Sequence, residues 1–342
     1  MSMTVFFTPW DTGHSLLDAA GALYEASGIF DCVSRGDLVA IKLHVGELGN
    51  PHYVPPYFVY RLAEGIRAAG GKPFLTDSNT YYHGMRANAC DHMHNAAMNG
   101  YGGLPFITAD GLRSENFRLV PTRGILDEIE VSGTIAEADA MIVVSHDKGH
   151  VLTGFGGAIK NLGMGCTPRA GKLRQHRTVG LTIDEDKCDG CGACKQACEM
   201  GLPEISGGKA HNVSPECMRC PMCSSLCINK AIELHDLENV SKALASASYG
   251  VLSTFKKDKV SYVSFAKDIT EFCDCLPGPG KIVMDDIGIF ASDSPVSVDA
   301  AFLNMADHEI FNKAYGVDCF EQLKEAKKIG IKGDLKPKIK TV

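Results

Sequence analysis

The sequence predicts an α/β protein: a mostly parallel sheet with flanking helices, interrupted by a small cysteine-rich insertion. Three observations predict it. Continuously apolar segments of strand type alternate with segments of helical periodicity through the first part of the chain. The same alternation resumes after residue 237. Between the two parts, eight of the fourteen cysteines recur at regular spacing.

Taken in order, residues 4–8 read as a strand and 15–29 as a helix, with Leu16, Leu17, Ala20, Leu23 and Tyr24 at helical spacing. Residues 38–45 have the unbroken apolar character of a strand buried on both faces. Residues 56–69 read as a helix with Pro56 in its first turn and Gly70-Gly71 beyond its end. A strand at 72–76 and a helix at 85–98 follow. Residues 108–131 read as short extended pieces broken at Pro121 and Gly124, and 139–145 as another buried strand. Beyond the cysteines come a helix at 239–255, strands at 260–265, 281–284 and 288–291, and a helix from Pro295 to Met305 capped by Ser294. Residues 321–342 carry seven lysines against three acids and read as a helix end with a basic, solvated tail. The expected division is 1–182 and 237–320 as two parts of one α/β domain, 183–236 as the insertion, and 321–342 as the tail.

The chain has 342 residues, enough for one large domain or two ordinary ones. A formal charge of −7 argues against general nucleic-acid binding. No apolar run approaches the roughly 18 residues of a membrane span, and the start lacks the basic stretch of a secretory signal. Fourteen cysteines without an export signal point to a reducing, cytoplasmic setting and to metal ligation rather than disulfides.

The first cysteine run is Cys188-x2-Cys191-x2-Cys194-x3-Cys198 and the second Cys217-x2-Cys220-x2-Cys223-x3-Cys227. The doubled run resembles the bacterial two-cluster ferredoxin. In that pattern three thiolates on a tight loop cap three corners of an iron–sulfur cube, and the fourth cysteine of each run reaches the other cube. The resemblance assigns Cys188, Cys191, Cys194 and Cys227 to one [4Fe-4S] cluster, and Cys217, Cys220, Cys223 and Cys198 to the second. Gly190 and Gly192 lie between ligands, where the backbone must pass close to sulfide. Glu199 and Ile228 stand where a proline usually follows the fourth cysteine. Zinc is the alternative, but zinc ribbons use Cys-x2-Cys pairs without a third thiol at the same spacing.

Residues 148–177 carry six cations, no acid and seven glycines. Cations beside open backbone N–H groups suit an anion. Gly165-x5-Gly171-Lys172-Leu173 approaches a phosphate loop but has one residue too many, and Leu173 where a metal-binding hydroxyl belongs, which excludes a nucleotide triphosphatase. The alternative role is docking onto the insertion, which holds nine acids and five bases. Ligands of parallel sheets lie beyond the carboxyl ends of the strands. That rule selects His44, Glu47, Asp77, Ser78, Asn79, His83, His146, Lys148 and His150. His83 and His150 are candidate acid–base groups. Lys160 is a candidate catalytic group, anion anchor or cofactor attachment point, and Gly154, Gly156, Gly157, Arg169 and Lys172 are candidates for holding the cofactor. His176 is a candidate metal ligand, and Cys273 and Cys275 are thiols able to bind a soft metal. Cys166 is either a buried thiol or a further ligand. Cys32, Cys90 and Cys319 fall in apolar periodic segments, as core residues do. Asp285 and Asp286 end a strand and are expected at the same cleft.

Gly149-His150-x3-Gly154-Phe155-Gly156-Gly157-x2-Lys160-Asn161-Leu162-Gly163-Met164-Gly165, followed by a ferredoxin-type run, resembles the uncharacterised iron–sulfur centre proteins grouped as domain-of-unknown-function family 362. Asp77-Ser78-Asn79-Thr80 and Asp286-Ile287-Gly288-Ile289 share that resemblance. A second similarity is to the nickel-pincer lactate racemases. In those enzymes a lysine after a Gly-Phe-Ser-Gly-Gly segment carries the pincer, a later histidine binds nickel, and two earlier histidines act as acid and base. His83, His150, Lys160 and His176 stand at similar spacings. Gly156 replaces the serine, Met164-Gly165 replaces Pro-Gly, and Val45-Gly46-Glu47 lacks the phosphate motif. The similarity therefore implies a related fold and site position rather than racemization.

The expected function is that of an iron–sulfur redox protein. Two [4Fe-4S] clusters pass electrons to a small anionic substrate or a second cofactor, metal or organic, in the α/β cleft. A ferredoxin-type carrier or metallocofactor-assembly protein working with a redox partner protein, and a racemase-like isomerase with structural clusters, are the alternatives.

Overall fold

The structure, a computed structural model, describes residues 3–198, 200–211 and 214–342; Glu199 lies outside them. Eight strands form the central sheet in the spatial order Lys338–Thr341, Thr4–Pro9, Gly288–Ser292, Val260–Ala266, Ala140–His146, Leu38–Lys42, Lys72–Asp77 and Phe106–Thr108. Gly288–Ser292 runs antiparallel to both neighbours, and every other pairing is parallel. The mostly parallel α/β sheet is therefore as the alternation implied.

Alternate residues of each central strand feed two cores. Ala140, Ile142 and Val144 join Val39, Ile41 and the helices Leu16–Ala26 and Pro56–Ala68 on one face. Met141, Val143 and Ala40 join the helices Ala158–Gly163, Glu238–Ser253 and Pro295–Met305 on the other. Side chains alternate across a strand, so a sheet covered on both faces needs apolar residues at every position. The unbroken apolar runs reflect this.

Several boundaries differ from the sequence reading. The second strand ends at Lys42, and Leu43, His44 and Val45 leave the sheet as a buried or half-buried loop. The helix expected at 85–98 begins at Ala89, capped by Asn88, and passes into a π-helical turn at Ala97–Tyr101. Glu47 is the reason for the late start. It accepts from Met85 N at 2.7 Å and from Arg86 Nε at 3.0 Å, holding 85–87 as loop. Residues 321–342 are not a solvated tail. Glu321–Lys328 is a helix burying Leu323 and Ala326, and Lys338–Thr341 adds an edge strand parallel to Thr4–Pro9. Its lysines flank an apolar stripe that the charge count did not register. Cys32 and Cys319 are buried as expected, but Cys90 is exposed in the first turn of its helix.

Between the adjacent strands Ala140–His146 and Val260–Ala266 the chain forms the cysteine-rich segment. There Gly180–Ile183 pairs with Ile232–His235, and Glu204–Ser206 pairs with Lys209–His211. Neither pair joins the central sheet. Short helices at Ala193–Ala197 and Met222–Ser225 follow the cysteine loops. Among the described residues, no helix is long and apolar enough to cross a membrane.

Candidate functional site

A cavity of about 590 Å³ opens at the carboxyl ends of the Leu38, Lys72 and Ala140 strands and extends to the cysteine-rich segment. Its polar groups come from both parts of the chain.

Lys42 is the charged exception in its apolar strand. Its ammonium meets Asp77 Oδ1 at 2.9 Å and donates to Asn161 Oδ1 at 2.7 Å. Burial pushes the Asp77 carboxyl up, but Lys42, His92, His44 and Arg86 more than offset it and hold it well below the usual carboxylate range. Asn161 also donates to Val144 O at 2.9 Å, which ties the helix Ala158–Gly163 to the strand end. The first N–H groups of that helix, Ala158 and Ile159, donate to Asp299 at 2.6 and 2.9 Å. Lys160 is thereby fixed at the cavity wall. Among the described residues its ammonium has no hydrogen-bond or ion-pair partner. Burial, with Lys148 nearby, lowers its pKa to about 7.

Four histidines, His44, His146, His150 and His176, line the same cavity. Burial followed by the Arg86 charge lowers His44, whose Nδ1 accepts from Gly46 N at 3.0 Å, so a neutral ring carries its proton on Nε2. Burial followed by Lys160 lowers His150 in the same way, and its Nδ1 lies 2.9 Å from Thr153 Oγ1. His176 is brought to about 4 by burial and then by Lys160, and its Nδ1 has no partner. His146 is held differently: Nδ1 faces Asp274 Oδ1 at 2.8 Å and Nε2 faces Lys267 O at 2.7 Å. Lys148 meets Asp274 Oδ2 at 3.2 Å.

The expected site residues divide accordingly. His150, Gly156, Gly157, Lys160, Lys172 and His176 line the cavity. His83 is exposed in a loop and does not line it. Gly154 has φ +74° and packs on Cys319 instead, where a Cβ on residue 154 would lie 2.6 Å from the Cys319 Sγ. Arg169 donates to Thr80 O at 2.8 Å and to Ala87 O, clamping the loop after the Lys72 strand rather than offering its charge to a ligand. Glu47 is spent on Arg86. Asp285 and Asp286 do not line the cavity. His44, selected by the strand-end rule, lines the cavity, whereas Lys42 and Asp274 were missed as site residues. A lysine inside an apolar strand and an acid between two cysteines were the available signals.

The eight regularly spaced cysteines form two groups. Cys188, Cys191, Cys194 and Cys227 surround one small cavity, and Cys198, Cys217, Cys220 and Cys223 line the large one. Gly190 and Gly192 are left-handed at φ +72° and +75°. A Cβ on Gly190 would lie 2.3 Å from Gly208 O, so this turn requires glycine. Backbone N–H groups of Ala210, Arg219 and Ala231 donate to the sulfurs of Cys188, Cys217 and Cys227 at 3.2, 3.3 and 3.2 Å. Burial, then the neighbouring Cys220 and Cys217, push Cys223 up to about 12. Among the described residues, no three His, Cys, Asp or Glu side chains gather as ligands of a single metal ion. His176 therefore stands in no such group, and Cys273 and Cys275 are joined to each other as a disulfide rather than held as two thiols.

A family model described as Domain of unknown function (DUF362) matches residues 39–304. No curated protein matches the sequence. The lactate racemase apoprotein from Thermoanaerobacterium thermosaccharolyticum is similar at 12% identity and a TM-score of 0.37, over 77% of this chain and 50% of that one. A protein from Thermotoga maritima is similar at 11% identity and a TM-score of 0.39, over 92% of this chain and 58% of that one. The chain thus spans between about half and three fifths of the length of these two structures.

Proposed function

The chain belongs to the DUF362 family, and from that premise we propose that it is a two-cluster iron–sulfur redox protein with an anion-binding cleft. The observation that carries this reading is the sorting of the eight cysteines. Cys188, Cys191 and Cys194 share a cavity with Cys227, and Cys217, Cys220 and Cys223 share one with Cys198. Each fourth cysteine thus sits with the other run, as two interleaved cubes require. The first group surrounds a small cavity, and the second lines part of the large one. That suits a cube ligated at its corners better than one tetrahedral ion, whose thiolates would sit about 3.8 Å apart. Bound there, [4Fe-4S] clusters supply and accept single electrons.

The chain's own residues define what meets those electrons. Lys160, whose ammonium is without a partner among the described residues, attracts an anion to the cavity wall. His44 and His150, kept neutral by burial, can hold or release a proton. Leucines, methionines and Phe272 cover much of the remaining wall, so the favoured ligand is an anion with an apolar body. Benzoate serves as the probe. Wild-type protein is expected to bind it more tightly at pH 6 than at pH 8, because the Lys160 ammonium is lost on passing its pKa of about 7. Lys160→Met is expected to abolish that pH dependence by calorimetry while leaving the iron content unchanged. A variant that still binds more tightly at pH 6 than at pH 8 would remove Lys160 from the site.

A further inference from the structure

We propose that Cys273 and Cys275 are a redox-active dithiol/disulfide pair in the cavity wall. Four observations converge on it. The two sulfurs are joined to each other, whereas the other twelve cysteines form no disulfide among the described residues. Both residues line the large cavity, as do Cys198, Cys217, Cys220 and Cys223. The bond spans one intervening residue, and a disulfide that closes so short a loop removes very little freedom from the unfolded chain. It is therefore a poor staple. Finally, the residue between the sulfurs is anchored without them. The Asp274 side chain is fixed by His146 at 2.8 Å and Lys148 at 3.2 Å, and its carbonyl accepts from Glu47 N at 2.9 Å. Opening the bond leaves those contacts in place, so the pair can cycle without unfolding the wall.

On reduction the S–S bond breaks, and each sulfur takes one electron and one proton, the protons coming from solvent. The two electrons come from a low-potential one-electron donor, the class to which iron–sulfur centres belong. In naming that donor the inference rests on the function proposed above. The pair then stores together two electrons that arrive singly.

Trypsin cleavage after Lys267 and Lys281 isolates both cysteines in one peptide, 268–281, with no other cysteine. Anaerobic holoprotein is equilibrated with glutathione and glutathione disulfide at a series of ratios, acid-quenched, alkylated with iodoacetamide and weighed. The expected result is a peptide that moves reversibly from no alkyl group to two across the series. A pair closed at every ratio, or open at every ratio, overturns the proposal. In a second arm the oxidised protein is reduced with dithionite. The pair is expected to open at least tenfold faster in wild type than in Cys217→Ser, and equal rates overturn the assignment of the donor. Iron content is read on the same samples. A cycling pair in a chain without iron sinks the cluster reading and leaves the pair standing, and iron with an inert pair does the reverse.

Discussion

At the scale of single residues, the chain carries its chemistry on charges that other charges hold in place. Lys42 and Asp77 show this most directly: both are buried and only 2.9 Å apart. Removing one partner leaves the other buried without its counter-charge. Lys42→Met is therefore expected to cost about 3–5 kcal/mol of stability by urea unfolding. Lys42→Met combined with Asp77→Asn is expected to recover part of that loss. A single variant as stable as wild type would show that the pair contributes little. The sequence makes the cysteines legible because their spacing is local, each ligand loop being only a few residues long. It hides Lys42 and Asp274, because their partners stand far away in the chain: Asp274 faces His146 across 128 positions. His83 shows the opposite failure. It has the right residue type and spacing, but its loop turns outward and leaves it exposed.

At the scale of elements, periodicity located the interior strands of the central sheet and the long helices Leu16–Ala26, Pro56–Ala68, Glu238–Ser253 and Pro295–Met305, because both sheet faces are covered and the apolar pattern is correspondingly strong. Segments with mixed signals were misread. The C-terminal lysines suggested solvent, yet Lys338–Thr341 pairs along Thr4–Pro9, with Lys338 N donating to Met3 O at 2.8 Å and Val342 N to Phe7 O at 2.9 Å. A half-exposed edge strand shows charges on one side of a short run, so composition alone cannot tell it from a tail. Deleting residues 336–342 is expected to lower stability by about 3 kcal/mol, roughly 1 kcal/mol for each of a few ladder hydrogen bonds lost. It also exposes the Thr4–Pro9 edge, so concentration-dependent self-association should appear by light scattering. An unchanged urea midpoint would return the segment to the status of a tail.

At the scale of the whole molecule, one sheet gathers groups from distant segments and keeps His44, His92, His150 and His176 neutral. Burial, followed by the net effect of nearby charges, lowers His92 to about 3, and burial followed by Lys160 lowers His176 to about 4. In the unfolded chain a histidine titrates near 6.5. Below that value the unfolded state binds protons that the folded state refuses, so stability falls as pH drops from about 6.5 toward the folded values and is fully present above 6.5. Between pH 7.5 and 5.5 the loss should be about 1 kcal/mol for each histidine. His92→Gln is expected to flatten the slope measured by urea unfolding, and an identical slope would contradict the assignment. The central claim is that the two cysteine groups hold two cubes. The most direct test is iron and acid-labile sulfide per chain after purification without oxygen, in wild type, Cys188→Ser and Cys217→Ser. About eight irons with matching sulfide in wild type, and about four in each variant, is the predicted result. Stoichiometric zinc, or iron without sulfide, would contradict it.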